Sequence, residues 1–174
     1  MKRLIFLVTL IVFSTSAFSQ DQPEAKQEDV NSLDNIIAAL YDVISGPKGE
    51  KRDWDRMRSL FMKDAKLIPT GKKPDGSIGH QNWTVDQYIE TAGASLEANG
   101  FFEVETHRIT EDYGTITHVF STYDSRRKLE DEKPFARGIN SIQLMKDDHR
   151  WEIMTIMVIG ETEAYPLPKK YLGN

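Results

Sequence analysis

Two apolar segments near the C-terminus decide the fold: Phe135-Ala-Arg-Gly-Ile-Asn-Ser-Ile-Gln-Leu-Met145 and Arg150-Trp-Glu-Ile-Met-Thr-Ile-Met-Val-Ile159. A short polar run, Lys146-Asp-Asp-His149, is all that separates them. Long apolar segments joined by so short a polar turn are typical of a β-hairpin with two long strands. We therefore expect this hairpin to belong to a sheet that closes against the elements encoded before it.

Helices precede the hairpin, and strands follow the helices. Apolar residues at three-and-four spacing predict one helix from Val30 to Ser45 and a second that begins at an Asp53 cap. A Thr84 cap starts a third helix, which ends at Asn99-Gly100. Between the second and third helices we predict a short strand, Lys66 to Pro69, and a loop, Thr70 to Trp83. From Phe101 the period of the apolar residues becomes two, which predicts strands at Phe101 to Thr110, at Thr115 to Asp124 and at the two hairpin segments. This order indicates an α+β fold.

The N-terminus has the pattern of a secretory signal peptide. A basic start, Met1 to Arg3, precedes an apolar run from Leu4 to Phe13 and a small-residue exit that ends at Ser19. We expect cleavage after Ser19 and a secreted or periplasmic location. The chain contains no cysteine, so its exported domain has no disulfide framework and no cysteine for lipid attachment. We divide the chain into a signal peptide (1–19), a flexible lead-in (20–30), one domain (31–162) and a C-terminal tail (163–174).

The charge of the chain limits its partners. Removal of residues 1–19 takes away Lys2 and Arg3, which leaves 20 Lys and Arg residues against 27 Asp and Glu residues, a net charge of −7. Nucleic acids and anionic membranes attract basic surfaces, so we predict neither as a partner of the mature chain.

A family resemblance rests on the second predicted helix and the last strand. The segment Trp54-Asp-Arg-Met-Arg-Ser-Leu-Phe61 is followed by Asp64-Ala65, and the strand run ends with Arg150-Trp151. This pattern resembles the nuclear transport factor 2-like (NTF2-like) superfamily, and within it the SnoaL-like branch. The resemblance implies a cone, in which a strongly bent antiparallel sheet wraps around three helices and encloses a cavity. It implies no single activity, because members range from isomerases and cyclases to binding modules.

The ketosteroid isomerase relatives give the resemblance its most specific chemical content. Their general base is an Asp on the strand after the second helix, and the matching residue here is Pro69, which has no carboxyl group. Their oxyanion hole uses a protonated carboxyl group, which matches Asn140, and a tyrosine, which Tyr41 matches approximately. The resemblance therefore leaves Asn140 able to polarise a carbonyl group but supplies no base for proton abstraction.

Strand alternation supplies the remaining candidate residues. It places Val119, Ser121 and Tyr123 on one face of their strand and His118 on the other, and we interpret the first face as concave. The predicted ligand-binding residues are Asn140, Tyr123, Ser121 and Tyr41, and no catalytic residue is assigned. The four histidines show no spacing typical of metal ligands, so we predict no metal site and no cofactor.

Three functional interpretations stay open. The first is an exported domain that holds a small, mainly apolar molecule in its cone. The second is a SnoaL-like enzyme of isomerase, cyclase or hydrolase type, with His80 as one candidate for moving a proton. The third is a structural module that forms a homodimer through the outer sheet face, which carries Ile139 and Met145. A cavity with convergent polar groups favours the first two, and a cavity filled by Trp54, Met57, Met154 or Met157 favours the third.

The signal peptide can be tested directly. When the full chain is expressed in a bacterium with an intact secretion pathway, the exported protein should begin at Gln20, because the small-residue exit ends at Ser19. Intact-mass measurement of the exported protein reads the terminus. A mass that includes residues 1–19 would contradict the prediction of secretion.

Overall fold

The computed structural model describes residues 22–173, so the predicted signal peptide and its cleavage site lie outside the described residues. The helices are α1 (Gln27–Val30), α2 (Leu33–Ile44), α3 (Trp54–Leu60), α4 (Val85–Tyr88) and α5 (Ala94–Asn99). A π-helical turn, Ile89–Gly93, joins α4 to α5, and a 3₁₀ turn spans Lys169–Tyr171. The strands are β1 (Phe61–Lys72), β2 (Ile78–His80), β3 (Phe102–Tyr113), β4 (Ile116–Arg126), β5 (Ala136–Lys146) and β6 (Trp151–Gly160).

The strands form one six-stranded sheet in the order β2-β1-β6-β5-β4-β3. Strands β3 to β6 are an antiparallel meander, and the predicted hairpin is confirmed as β5 and β6, with Ile142 opposite Ile156. The expected all-antiparallel sheet is wrong at one pair, because β1 runs parallel to β6 and aligns Leu67 with Ile156. Parallel pairing needs a long crossover, and the chain between β1 and β6 supplies one that contains α4, α5 and the rest of the meander. The sheet is therefore mixed.

Side-chain caps set where the helices begin. The predicted caps at Asp53 and Thr84 are confirmed: the Asp53 side chain accepts a hydrogen bond from the Arg56 backbone N–H, and Thr84 forms a capping box with Gln87. The first long helix begins later than predicted, because Ser32 caps it through the Asn35 backbone N–H.

The segment before that helix differs from the predicted flexible lead-in. Residues Gln27–Val30 form a helical turn, and Ala25, Asp29 and Val30 are buried. Asp29 accepts two hydrogen bonds from the Arg56 guanidinium, at 2.8 and 2.9 Å. A buried carboxylate is stabilised by a paired bidentate arginine, so this segment packs on the domain.

The two faces of the sheet differ in what covers them. The concave face packs against α2 and α3 around a core that includes Ile36, Ile37, Leu60 and Ile142, all fully buried. On the outer face, the ring of Tyr171 from the C-terminal segment packs against Phe120 at a tilt, with ring centroids 4.9 Å apart, and the Tyr171 carbonyl accepts from the Thr122 hydroxyl. Part of the face assigned to a homodimer is therefore covered by the chain itself.

None of the helices described in residues 22–173 is long and apolar enough to cross a membrane.

Candidate functional site

A cavity of about 120 Å³ lies between the concave face of the sheet and helices α2, α3 and α4. Most of its wall is apolar, and this part comprises Leu40, Ile44, Met57, Leu67, Pro69, Trp83, Tyr88, Ile156 and Val158. Three further residues, Tyr41, Glu103 and Asn140, give the wall its polar groups. Pro69, Trp83, Tyr88 and Val158 are partly exposed, whereas Leu40, Met57 and Ile156 are buried, so the cavity opens on the Trp83 side.

The amide of Asn140 organises the polar end of the cavity. Its Nδ2 donates to the Tyr41 hydroxyl at 3.1 Å and to Glu103 Oε1 at 3.1 Å. The other carboxylate oxygen, Glu103 Oε2, accepts from the Ser125 hydroxyl at 3.1 Å. Helix α2 and strands β3, β4 and β5 thus meet at one hydrogen-bonded cluster.

A chain of hydrogen bonds runs from this cluster to the surface. The Ser121 hydroxyl donates to Glu105 Oε1 at 2.5 Å, so it accepts from Tyr41, whose hydroxyl lies 2.7 Å away. Glu105 in turn accepts from Arg108, which also pairs with the exposed Asp34. The Glu105 carboxylate fixes the donor and acceptor of each of these hydrogen bonds, because a carboxylate only accepts hydrogen bonds.

The same directions limit what Asn140 offers to a ligand. Both of its amide hydrogens are used, one on Tyr41 and one on Glu103. Within residues 22–173 no hydrogen bond uses Asn140 Oδ1. The residue is therefore placed to accept from a ligand, and the expected polarisation of a ligand carbonyl by its amide N–H would require one of these two bonds to break.

Glu103 is the titratable group of the cavity. Burial raises the pKa of Glu103 to about 7, and the hydrogen bonds from Asn140 and Ser125 only partly oppose that rise. Burial also raises the pKa values of Tyr41 and Tyr88, which keeps both hydroxyls protonated at neutral pH. Of the groups at the polar end, Glu103 alone changes charge near neutral pH.

The predicted ligand-binding residues fall into two groups. Tyr41 and Asn140 line the cavity. Ser121 is fully buried behind Tyr41, and Tyr123, although on the concave face, packs against Gly138 and does not line the cavity. The structure thus connects Tyr41, Ser121 and Asn140 by hydrogen bonds and leaves Tyr123 outside that cluster among the described residues.

Other candidates lie away from the cavity. His80 is exposed on strand β2, so the histidine offered for proton transfer is not at the site. His118 lies on the outer face, where its Nε2 is 3.0 Å from the Ser141 hydroxyl. Pro69 lines the cavity as part of its apolar wall. No three His, Asp or Glu side chains in residues 22–173 come together in an arrangement that would hold a metal ion.

Sequence reasoning missed Glu103, Trp83 and Tyr88. Glu103 pairs in register with Ser125, four residues beyond Ser121 on the face interpreted as concave. The β3–β4 register would therefore have identified Glu103 as an inward-facing acid, but periodicity within one strand does not give the register.

A second, larger groove of about 640 Å³ lies on the surface between α3, the start of β1 and α4. Its central cation, Arg58, pairs with Asp55 and Asp86, all on the groove wall. Because these charges pair with one another at the surface, we assign the site to the smaller cavity, where a partly buried acid without a cation faces an apolar wall.

Known proteins resemble this chain in fold rather than in sequence. No protein-family model matches the chain, and no curated protein matches it in sequence. Solved structures do match it: LinA is 10% identical with a TM-score of 0.56, and the match covers 83% of this chain and 92% of LinA. A protein of unknown function with a cystatin-like fold from Nostoc punctiforme is 12% identical with a TM-score of 0.55, covering 74% and 87%. An NTF2-like protein from Cytophaga hutchinsonii is 12% identical with a TM-score of 0.50, covering 72% and 89%.

Helices packed into a bent mixed sheet, with a cavity between them, define an α+β protein of the cone type. The chain has the NTF2-like fold, which confirms the predicted cone. Membership of the NTF2-like superfamily stays a prediction. Assignment to the SnoaL-like branch stays a prediction.

The raised pKa of Glu103 predicts how stability depends on pH. Between the ordinary pKa of 4.5 and the folded value of about 7, the folded state binds more protons than the unfolded state. The free energy of unfolding should therefore fall as the pH rises through this window, by on the order of 2–3 kcal/mol, and Glu103→Gln should remove that fall. Urea denaturation of both proteins from about pH 4 to about pH 8 measures the difference.

Glu111→Gln is the matched control, because Glu111 is exposed on the same strand. Parallel stability curves for wild type and Glu103→Gln would contradict the prediction.

Proposed function

We propose that this chain is an exported domain that binds a small, mainly apolar molecule inside its cone, with the polar end of the ligand at Glu103 and Asn140. The observation that carries the proposal is the cavity itself: an apolar wall that ends in one cluster of polar groups. Such cavities bind ligands by excluding water from apolar surface and orient them through the polar groups. Export rests on the sequence of residues 1–19.

The cavity volume sets the size of the ligand. An apolar cavity of about 150 Å³ is large enough to bind benzene. At about 120 Å³ and open on the Trp83 side, this cavity suits a small ring compound whose polar head reaches Glu103 and whose ring extends towards the opening. Trp83 and Tyr88 add aromatic surface to the wall.

Three of the four residues named as possible fillers of the cone do not close the cavity. Met57 forms part of the cavity wall, and the Trp54 indole N–H is bonded to Glu97. Met157 is 45% exposed on the outer face. This arrangement favours binding over a structural role. The homodimer stays a prediction, with Ile116 and Tyr113 among the exposed residues of the outer face that it would cover.

An enzyme is the second candidate, and Glu103 is the specific observation that favours it. A carboxyl group with a pKa of about 7 both accepts and returns a proton at neutral pH, as a general acid–base catalyst must. Glu103 would abstract a proton from a carbon next to an electron-withdrawing group and return it to the same or a neighbouring carbon. It would thus do the work for which the sequence had offered only His80.

Filling the cavity tests the binding proposal. Val158 lines the rim, and Val158→Trp should place an indole ring in the opening and abolish binding of small ring compounds. Met157→Trp is the matched control, because the neighbouring side chain is exposed on the outer face. Ligand-observed NMR with toluene and benzyl alcohol, together with mass spectrometry of molecules retained through purification, measures binding. Equal binding by wild type and Val158→Trp would overturn the proposal.

Deuterium exchange tests the enzyme candidate. Any molecule retained by the purified protein is released, added back in D₂O and followed by mass spectrometry. If Glu103 moves a proton to and from carbon, wild type should catalyse deuterium incorporation, and Glu103→Gln should lower its rate by about 100-fold or more. Exchange at the same rate with both proteins, or with neither, would exclude this role for Glu103.

A further inference from the structure

Glu103 is the acid on the cavity wall, and it has no cation beside it, whereas Asp29, Glu105 and Asp124 each have an arginine. Asp29 pairs with Arg56, Glu105 with Arg108, and Asp124 with Arg126 and Arg137. Within residues 22–173, Glu103 forms no ion pair, and its two hydrogen bonds come from the neutral side chains of Asn140 and Ser125. A carboxylate partly removed from water without a counter-ion is unfavourable, so a cation that enters the cavity would stabilise the ionised form of Glu103.

We propose that the ligand supplies this partner: the cavity takes a small organic cation, a primary alkyl- or arylalkyl-ammonium, whose ammonium group bonds Glu103 and Asn140 Oδ1. This inference rests on the proposed binding function and names the class of molecule bound. The cation would take, at the cavity end of Glu103, the place that an arginine takes beside Asp29, Glu105 and Asp124.

The hydrogen-bonding groups at the polar end match an ammonium head. An ammonium group donates three hydrogen bonds and accepts none. The Asn140 amide hydrogens and the Tyr41 hydroxyl hydrogen are already used inside the protein, which leaves the Glu103 carboxylate and Asn140 Oδ1 as acceptors. The Tyr88 hydroxyl on α4 adds a further group able to accept.

The surroundings of Glu103 favour a cation over an anion. The titratable groups that face it are Tyr41 on α2, Tyr88 on α4 and Tyr123 on β4. All three are neutral at neutral pH, as tyrosines ordinarily are, and burial raises their pKa values further. The aromatic faces of Trp83 and Tyr88 on the cavity wall attract cations and pack against an apolar tail. A carboxylate ligand would instead meet the Glu103 charge with no cation to separate them.

Three compounds of one shape test the inference: benzylamine, benzyl alcohol and benzoate. Calorimetric titration at about pH 8, where Glu103 is largely ionised and the amine protonated, should give the tightest binding for benzylamine. Its apparent affinity should fall at least about tenfold at about pH 5.5, because the binding-competent ionised fraction of Glu103 falls by that factor. Benzyl alcohol should bind more weakly and with little pH dependence, and benzoate weakest of all.

Glu103→Gln should retain benzyl alcohol and lose the preference for benzylamine, whereas Glu111→Gln, on the outer face of β3, should behave as wild type. Equal affinities of wild type for benzylamine and benzyl alcohol at about pH 8 would overturn the cation inference and leave the binding proposal intact. Binding of none of the three would overturn both. If Glu103→Gln does not fold, the wild-type pH profile decides, and a benzylamine affinity that is constant between about pH 5.5 and 8 would overturn the inference.

Discussion

The hydrogen bonds of the Asn140 amide are the constraint on which the polar end of this structure depends. One nitrogen atom joins the Tyr41 hydroxyl of helix α2 to the Glu103 carboxylate of strand β3 from its own position on β5. Because both of its hydrogens are used, the helix and two non-adjacent strands of the sheet are fixed relative to one another at the cavity wall. The same two bonds shape the chemistry of the polar end, since they leave the Glu103 carboxylate and Asn140 Oδ1 there as acceptors. The two hydrogen bonds of the Asn140 amide therefore influence both how α2 packs on the sheet and which ligands the cavity would accept.

Keeping an acid without a cation at this point costs stability when the carboxyl group is ionised. Glu105, two residues away on the same strand, shows that the sheet accommodates a partly buried acid when an arginine accompanies it. At Glu103 the fold supplies two neutral donors and no cation, and the pKa of the carboxyl rises to about 7. Local arrangements that oppose folding are concentrated at functional sites, where the same property is used by a ligand or a reaction. We therefore place the function of the cavity at Glu103 rather than at Asn140, which serves Glu103 by holding it in position.

Strand periodicity and cap residues were enough to predict the meander, the α+β order and the starts of α3 and α4, because these features depend on residues close in sequence. Asn140 and Tyr41 were also predicted at the cavity, through a family resemblance. Features that depend on pairing between distant segments were not predicted: the parallel alignment of β1 with β6, and the inward orientation of Glu103, which follows from the β3–β4 register. Periodicity gives the two faces of a strand, but only the register and the elements packed against it decide which groups come together.

The two functional candidates place opposite demands on the Glu103 proton, so the charge of the ligand separates them. A bound ammonium would stabilise the carboxylate and lower the pKa of Glu103, which would leave the group ionised and paired at neutral pH. Glu103 would then recognise the ligand but hold no proton to return, and a strong ion pair would also make it a poor base. A neutral ligand would exclude water without adding a counter-ion, so the pKa would stay near 7 and the carboxyl group would exchange protons readily. Recognition of a cation and acid–base catalysis are therefore alternatives at this carboxylate, and one ligand cannot use Glu103 fully for both.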